Sequence, residues 1–97
     1  MITEITKAQL LAWRLGTLKN KGKATSAQIS IAKRNNVAMA IDIAREARQM
    51  LGGMGITGEY SIMRHMMNLE SVITYEVTHY IHLLITGFDV TWLNAFK

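Results

Sequence analysis

Cysteine and proline are both absent from this chain of 97 residues. Without cysteine there is neither a disulfide framework nor a thiolate metal site, and the redox compartment carries no mark. Without proline nothing forces a helix to break, which fits long helices joined by glycine turns. Charge is also scarce. Charged residues make up 19% of the chain against 49% hydrophobic, a balance too apolar for disorder. No apolar run is long enough to span a bilayer, and the first residues do not read as a signal peptide. The expectation is one domain over residues 1–97, near the lower size for a self-sufficient core, with neither a membrane nor a nucleic acid as partner.

The nucleic-acid exclusion rests on where the positive charge lies. Nine of the eleven Lys and Arg fall in residues 1–50, beside only three acids. Lys19, Lys21 and Lys23 cluster in "LKNKGKATS", a turn-like stretch with no aromatic interleaved, so a solvated loop is expected there.

The apolar pattern is helical. Ile2, Ile5, Ala8, Leu11, Leu15 and Leu18 share one face of a first helix, about 2–21, which Gly22 stops. Thr25 with Gln28 forms a capping box for a second helix, about 26–51. Ala38, Ala40, Ala44 and Ala47 leave little bulk on it, so a neighbour can approach closely. "GGMGITGE" follows, a loop that needs positive φ or close backbone approach. Third and fourth helices are expected over about 59–75 and 78–96. The fourth is apolar nearly all round, which suggests that it presents a second apolar face to a partner. The fold class expected is all-α, an antiparallel up-down four-helix bundle.

"TYEVTHYIH" is the stretch richest in chemistry. Glu76 and His79 have the Glu-x-x-His spacing of di-iron bundles, but such sites need two such pairs and two more glutamates. Glu59 and Glu70 cannot complete the set, and a zinc site needs three or four converging ligands. No metal is expected. No serine is placed near a histidine, so nucleophile–base catalysis is not expected, and His79 and His82 read as partly exposed polar groups. Glu76 sits between the third and fourth helices. A capping or solvated glutamate is the plain reading; partial desolvation there would suit a general base. Thr78 can cap the fourth helix, so a turn at Glu76 is expected in preference to one unbroken helix.

The run "AKRNNVAMAIDIAREARQMLGGMGITGEYSIMRHMMNLESVITYEVTHYIHLLITG" resembles the C-terminal helical domain of the acyl-CoA dehydrogenases, and among them the glutaryl-CoA dehydrogenases. The resemblance implies an FAD enzyme of the cytoplasm or the mitochondrial matrix. In it a glutamate removes the α-proton of an acyl-CoA and flavin N5 accepts the β-hydride; the glutaryl enzymes then decarboxylate the product. By that resemblance Glu76 is the catalytic base. Gln49, Met50, Leu51, Gly52 and Gly53 form a loop on the FAD of a neighbouring subunit. Thr78 contacts flavin, and Phe96 lies near the cofactor.

The chain also departs from the family. After the glutamate the family has Gly-Thr-His-Asp-Ile-His, whereas Val77 and Tyr80 stand here in place of the glycine and the aspartate. A valine disfavours any positive φ at that point. With Leu84, Phe88 and Trp92, these residues step along the fourth helix as an apolar stripe. Two functions are therefore expected in competition. One is an engineered binding or self-assembling module on an excised bundle, inactive alone and without FAD, meeting another chain or a second copy through Val77, Tyr80, Leu84, Phe88 and Trp92. The alternative is the C-terminal domain of a FAD-dependent glutaryl-CoA dehydrogenase, supplying the base and part of the FAD site within a tetramer.

Overall fold

The computed structural model describes residues 1–96. Four α-helices follow in chain order: α1 (Ile2–Asn20), α2 (Ser26–Met50), α3 (Ile62–Val72) and α4 (His79–Thr91), with a short 3-10 turn at Gly52–Ile56. The all-α class is as expected, with no strand among the described residues. None of the helices is long and apolar enough to cross a membrane.

Local chemistry sets the first two helices. Gly22, at φ +68, lets α1 end in a left-handed cap. Its N–H donates to the Lys19 carbonyl at 3.0 Å, and the Lys23 N–H donates to that of Leu18 at 2.9 Å, the double bond of a Schellman motif. At the start of α2 the Gln28 N–H donates to Thr25 Oγ1 at 3.2 Å and the Thr25 N–H donates to Gln28 Oε1 at 3.0 Å, so the capping box is formed.

The later helices are shorter than their apolar patterns. The third, expected over 59–75, spans only Ile62–Val72. At its start the chain is still turning, with the Thr57 hydroxyl donating to the Met54 carbonyl at 2.9 Å. At its end the Thr74 and Tyr75 N–H groups both donate to the Ser71 carbonyl, a tightening that closes the helix. The fourth, expected to reach 96, stops at Thr91. Trp92 turns left-handed at φ 61 and donates its N–H to the Phe88 carbonyl.

α2 is the spine of the molecule. The other three helices pack along it, and their backbones do not approach one another closely. α1 is pinned by Asn36 Nδ2 donating to the Ala8 carbonyl at 3.1 Å, and α3 by Arg45 paired with Glu70 at 2.7 Å. Apart from Ile41, the buried apolar residues are alanines: Ala8, Ala27, Ala32 and Ala44. The helices thus share one long neighbour rather than one closed centre. The consequence is a large surface, 7182 Å², against roughly 5,600 Å² for a compact monomer of this mass. The radius of gyration is 16.0 Å, where a compact chain of this length has roughly 12.5 Å.

Candidate functional site

Glu76 sits on the break between α3 and α4. The Ile73 carbonyl accepts from the His79 N–H at 3.1 Å, closing a loop in which Glu76 (φ 54) and Val77 (φ 81) are both left-handed. Thr78 then caps α4, its Oγ1 accepting from the Ile81 N–H at 3.3 Å. The expected turn is present. Glu76 is exposed.

Two adjacent residues of α2 grip this loop. Lys33 Nζ donates to the carbonyls of Tyr75, Glu76 and Val77, the last two at 2.9 and 3.0 Å. An ammonium has three protons, and all three are used. The same nitrogen stands 5.3 Å from the centre of the Tyr75 ring. Arg34 Nη1 donates to the His79 carbonyl at 3.2 Å. Neither residue was singled out from the sequence. The signal available was a pair of cations, Lys33 and Arg34, in the middle of an alanine-rich helix.

Beneath the loop lies a buried polar pair that the sequence reading missed. His82 is 6% exposed and Ser30 3%, where partly exposed histidines far from any serine were expected. His82 Nδ1 and Ser30 Oγ are 3.0 Å apart. Burial, then the Lys33 charge, lowers the His82 pKa below its usual 6.5; the Glu76 carbonyl opposes this, His79 adds to it, and the Val77 carbonyl opposes it again. His82 Nε2 is buried without a hydrogen-bond partner. The pair is buried and joins α2 to α4. Among the described residues no three His, Asp or Glu converge on a metal site.

The residues expected at a flavin are not all together. Thr78 lies two residues from Glu76 in the chain, while Gln49, Met50, Leu51, Gly52 and Gly53 lie at and just past the far end of α2. Sixteen residues of helix separate Lys33 from Gln49, roughly 24 Å at 1.5 Å per residue. At that end Gln49 and Met50 are exposed, Leu51 caps α2 and Gly52 has φ +57. Gly55, in the loop expected to need close backbone approach, is packed so tightly that a Cβ would lie 2.2 Å from the Arg48 carbonyl oxygen. Phe96 lies past α4, lining a small hollow with Leu84 and Phe88.

The expected apolar stripe is only partly on the helix. Tyr80, Leu84 and Phe88 are exposed along α4, but Val77 precedes it and Trp92 is its left-handed cap. The Phe88 and Trp92 rings meet edge to face, 6.2 Å between centroids. Leu84 is exposed as well, and the inward side of α4 is carried by His82 with Ile81 and Ile85.

The family described as "Acyl-CoA dehydrogenase, C-terminal domain" matches residues 1–87. The chain belongs to the acyl-CoA dehydrogenase family. A short-chain specific acyl-CoA dehydrogenase of Megasphaera elsdenii is 33% identical over 87 residues, covering 90% of this chain and 23% of that protein. The crystal structure of glutaryl-CoA dehydrogenase from Mycobacterium smegmatis superposes with a TM-score of 0.94 at 52% identity, covering 98% of this chain and 24% of that one. A second structure of a glutaryl-CoA dehydrogenase from that organism, in complex with FADH2, gives 0.93 at 52% identity, covering 98% and 25%. The chain therefore spans about a quarter of the length of the dehydrogenases it matches.

Of the two competing functions, these findings favour the dehydrogenase alternative, as far as the C-terminal domain of a glutaryl-CoA-dehydrogenase-like acyl-CoA dehydrogenase, and leave the engineered module without support. At 52% identity to a bacterial dehydrogenase, about half of all positions differ. Val77, Tyr80, Phe88 and Trp92 then need no design to explain them.

Proposed function

We propose that this chain is the part of a glutaryl-CoA-type acyl-CoA dehydrogenase that supplies the catalytic base and one side of the FAD site. The observation that carries the reading is Glu76 itself, an exposed carboxylate on a break between two helices, held by Lys33 through three backbone carbonyls. In this role the Glu76 carboxylate takes the α-proton of the acyl thioester. FAD, when bound, supplies the hydride acceptor.

The residues present fit part of a flavin site. Thr78 keeps a hydroxyl proton to donate beside Glu76, since its oxygen is used only as an acceptor by the cap. At Gly53 nothing of this chain lies within 4 Å of where a Cβ would be, so the backbone is bare to an approaching ligand. These two places are too far apart for one side of a single isoalloxazine. The family resemblance gives Gln49–Gly53 to the cofactor of a neighbouring subunit. The surplus surface of the open fold supports a neighbouring chain, because the excess of roughly 1,600 Å² is about twice the roughly 800 Å² that each partner brings to a standard protein interface. Alone, the chain holds half a site and does not retain flavin.

The test uses a complete dehydrogenase that contains this chain. Glu76→Gln is expected to lower turnover of glutaryl-CoA at least about a hundredfold, the range of a positioned general base, while flavin absorbance is unchanged. Turnover that survives Glu76→Gln would refute the assignment. A preference for butyryl-CoA over glutaryl-CoA in the unmodified enzyme would leave the base in place and remove the substrate.

A further inference from the structure

Three consecutive carbonyls meet one ammonium at the Glu76 loop, and this has a geometric consequence. A peptide unit is planar, so fixing its carbonyl fixes the plane. The Tyr75 and Glu76 carbonyls belong to the two peptide planes that flank the Cα of Glu76. The Glu76 and Val77 carbonyls belong to the two that flank the Cα of Val77. Lys33 Nζ holds all three planes at once. It thereby restrains φ and ψ at both residues, and with them the direction of the Cα–Cβ bond of Glu76. The side chain is exposed, so among the groups of this chain the backbone is what sets the region the carboxylate can reach.

The conformation being held is one the chain does not choose freely. A β-branched residue at φ 81 is a backbone outlier and persists only where its surroundings over-determine it. Here the surroundings are identifiable. Lys33 is itself anchored by α2, by the face of the Tyr75 ring and by its neighbour Arg34 on the His79 carbonyl. Lysine suits the task because its three donors radiate from one nitrogen, where the flat fork of arginine would not converge on them.

We infer that Lys33 is the positioning residue of Glu76, setting the direction in which the catalytic carboxylate is presented. The role in catalysis rests on the reading of Glu76 as the base; the hold on the backbone does not. In the unmodified 97-residue chain, the Lys33 ammonium protons are expected to exchange with water at least about tenfold more slowly than those of the exposed Lys21. In Lys33→Met the three-bond amide–Hα couplings of Glu76 and Val77 should leave their left-handed values. The His79 amide should exchange at least about tenfold faster, while the Ile41 and Ala44 amides change by less than about twofold. In a complete dehydrogenase the same substitution should lower kcat at least about tenfold with KM little changed. Lys33 protons that exchange as fast as those of Lys21 would overturn the inference, and this readout needs no variant to fold. Unchanged couplings and His79 exchange in a folded Lys33→Met would overturn it too. No cofactor or substrate enters the first two measurements, so they fail or hold independently of whether Glu76 is the base.

Discussion

Ser30 on α2 and His82 on α4 meet at 3.0 Å, Oγ to Nδ1, with almost no solvent reaching either. The imidazole faces the Lys33 ammonium and His79, and the carbonyls of Glu76 and Val77 pull the other way. Burial and the positive neighbours win, so the folded-state pKa lies below 6.5. Below the unfolded value the unfolded chain therefore binds more protons than the folded one, and stability rises with pH through that window. The His82 contribution is complete above about 6.5 and is lost as pH falls through the lowered folded value. Urea midpoints should fall on going from about pH 8 to about pH 5, and His82→Gln should flatten that slope. An equal slope in His82→Gln would place the proton uptake elsewhere.

Gly55 is the glycine whose lack of a side chain the fold needs most directly. A Cβ there would sit 2.2 Å from the Arg48 carbonyl oxygen, and that oxygen is backbone of the last turn of α2. Gly55→Ala must push the 3-10 turn off α2, at about 1–3 kcal/mol for overpacking of this kind. Gly53→Ala meets nothing in this chain and should leave the urea midpoint where it is. Equal midpoints for the two variants would show that the turn yields without cost.

What could be read from sequence was what is local. The Schellman end at Gly22 and the Thr25–Gln28 box lie within five residues of their partners, and both are formed. The helix ends at Ile62, Val72 and Thr91 were misjudged because apolar spacing runs past them. Nothing about a tryptophan announces a left-handed cap, and Leu93 continues the pattern beyond it. Glu76 was legible through resemblance to a family, not through its own spacing. Its supports were not legible at all. Lys33 reaches 42 to 44 residues along the chain and Ser30 reaches 52. Pairings of that span depend on how α3 and α4 lie on α2, which no periodicity encodes.

Trp92 and Tyr80 are the most open aromatics of the fourth-helix region, 78% and 75% exposed. Trp92 touches Phe88 edge to face and reaches no core residue that its loss would leave hollow. Trp92→Ala should change folding stability by no more than about 0.5 kcal/mol, the usual range for surface positions. If the stripe of Tyr80, Leu84, Phe88 and Trp92 is an interface, the same change should weaken association by at least about 2 kcal/mol, as for a central aromatic anchor. Light scattering across a dilution series, alongside a thermal melt, reads both. A large drop in melting temperature with association unchanged would make Trp92 a packing residue and end the interface reading.

Val77 is 44% exposed and stands at φ 81, a backbone that suits glycine. The family pattern it resembles has glycine after the glutamate, whereas this chain carries a branched side chain on a left-handed backbone there. Strain of this kind costs about 1–3 kcal/mol. Glycine would relieve it, at a cost of about 0.5–1 kcal/mol in added freedom of the unfolded chain. Val77→Gly should therefore gain about 1 kcal/mol, a rise of about 4–8 °C in Tm for a domain of this size. Little buried surface is lost to offset this, since the side chain is half in solvent. Val77→Ala separates the causes: alanine keeps a Cβ in the left-handed region and should gain much less. If alanine matched glycine, the penalty would lie in the outer carbons of valine and not in the backbone. A glycine gain with no alanine gain places it at φ, in the loop that aims Glu76.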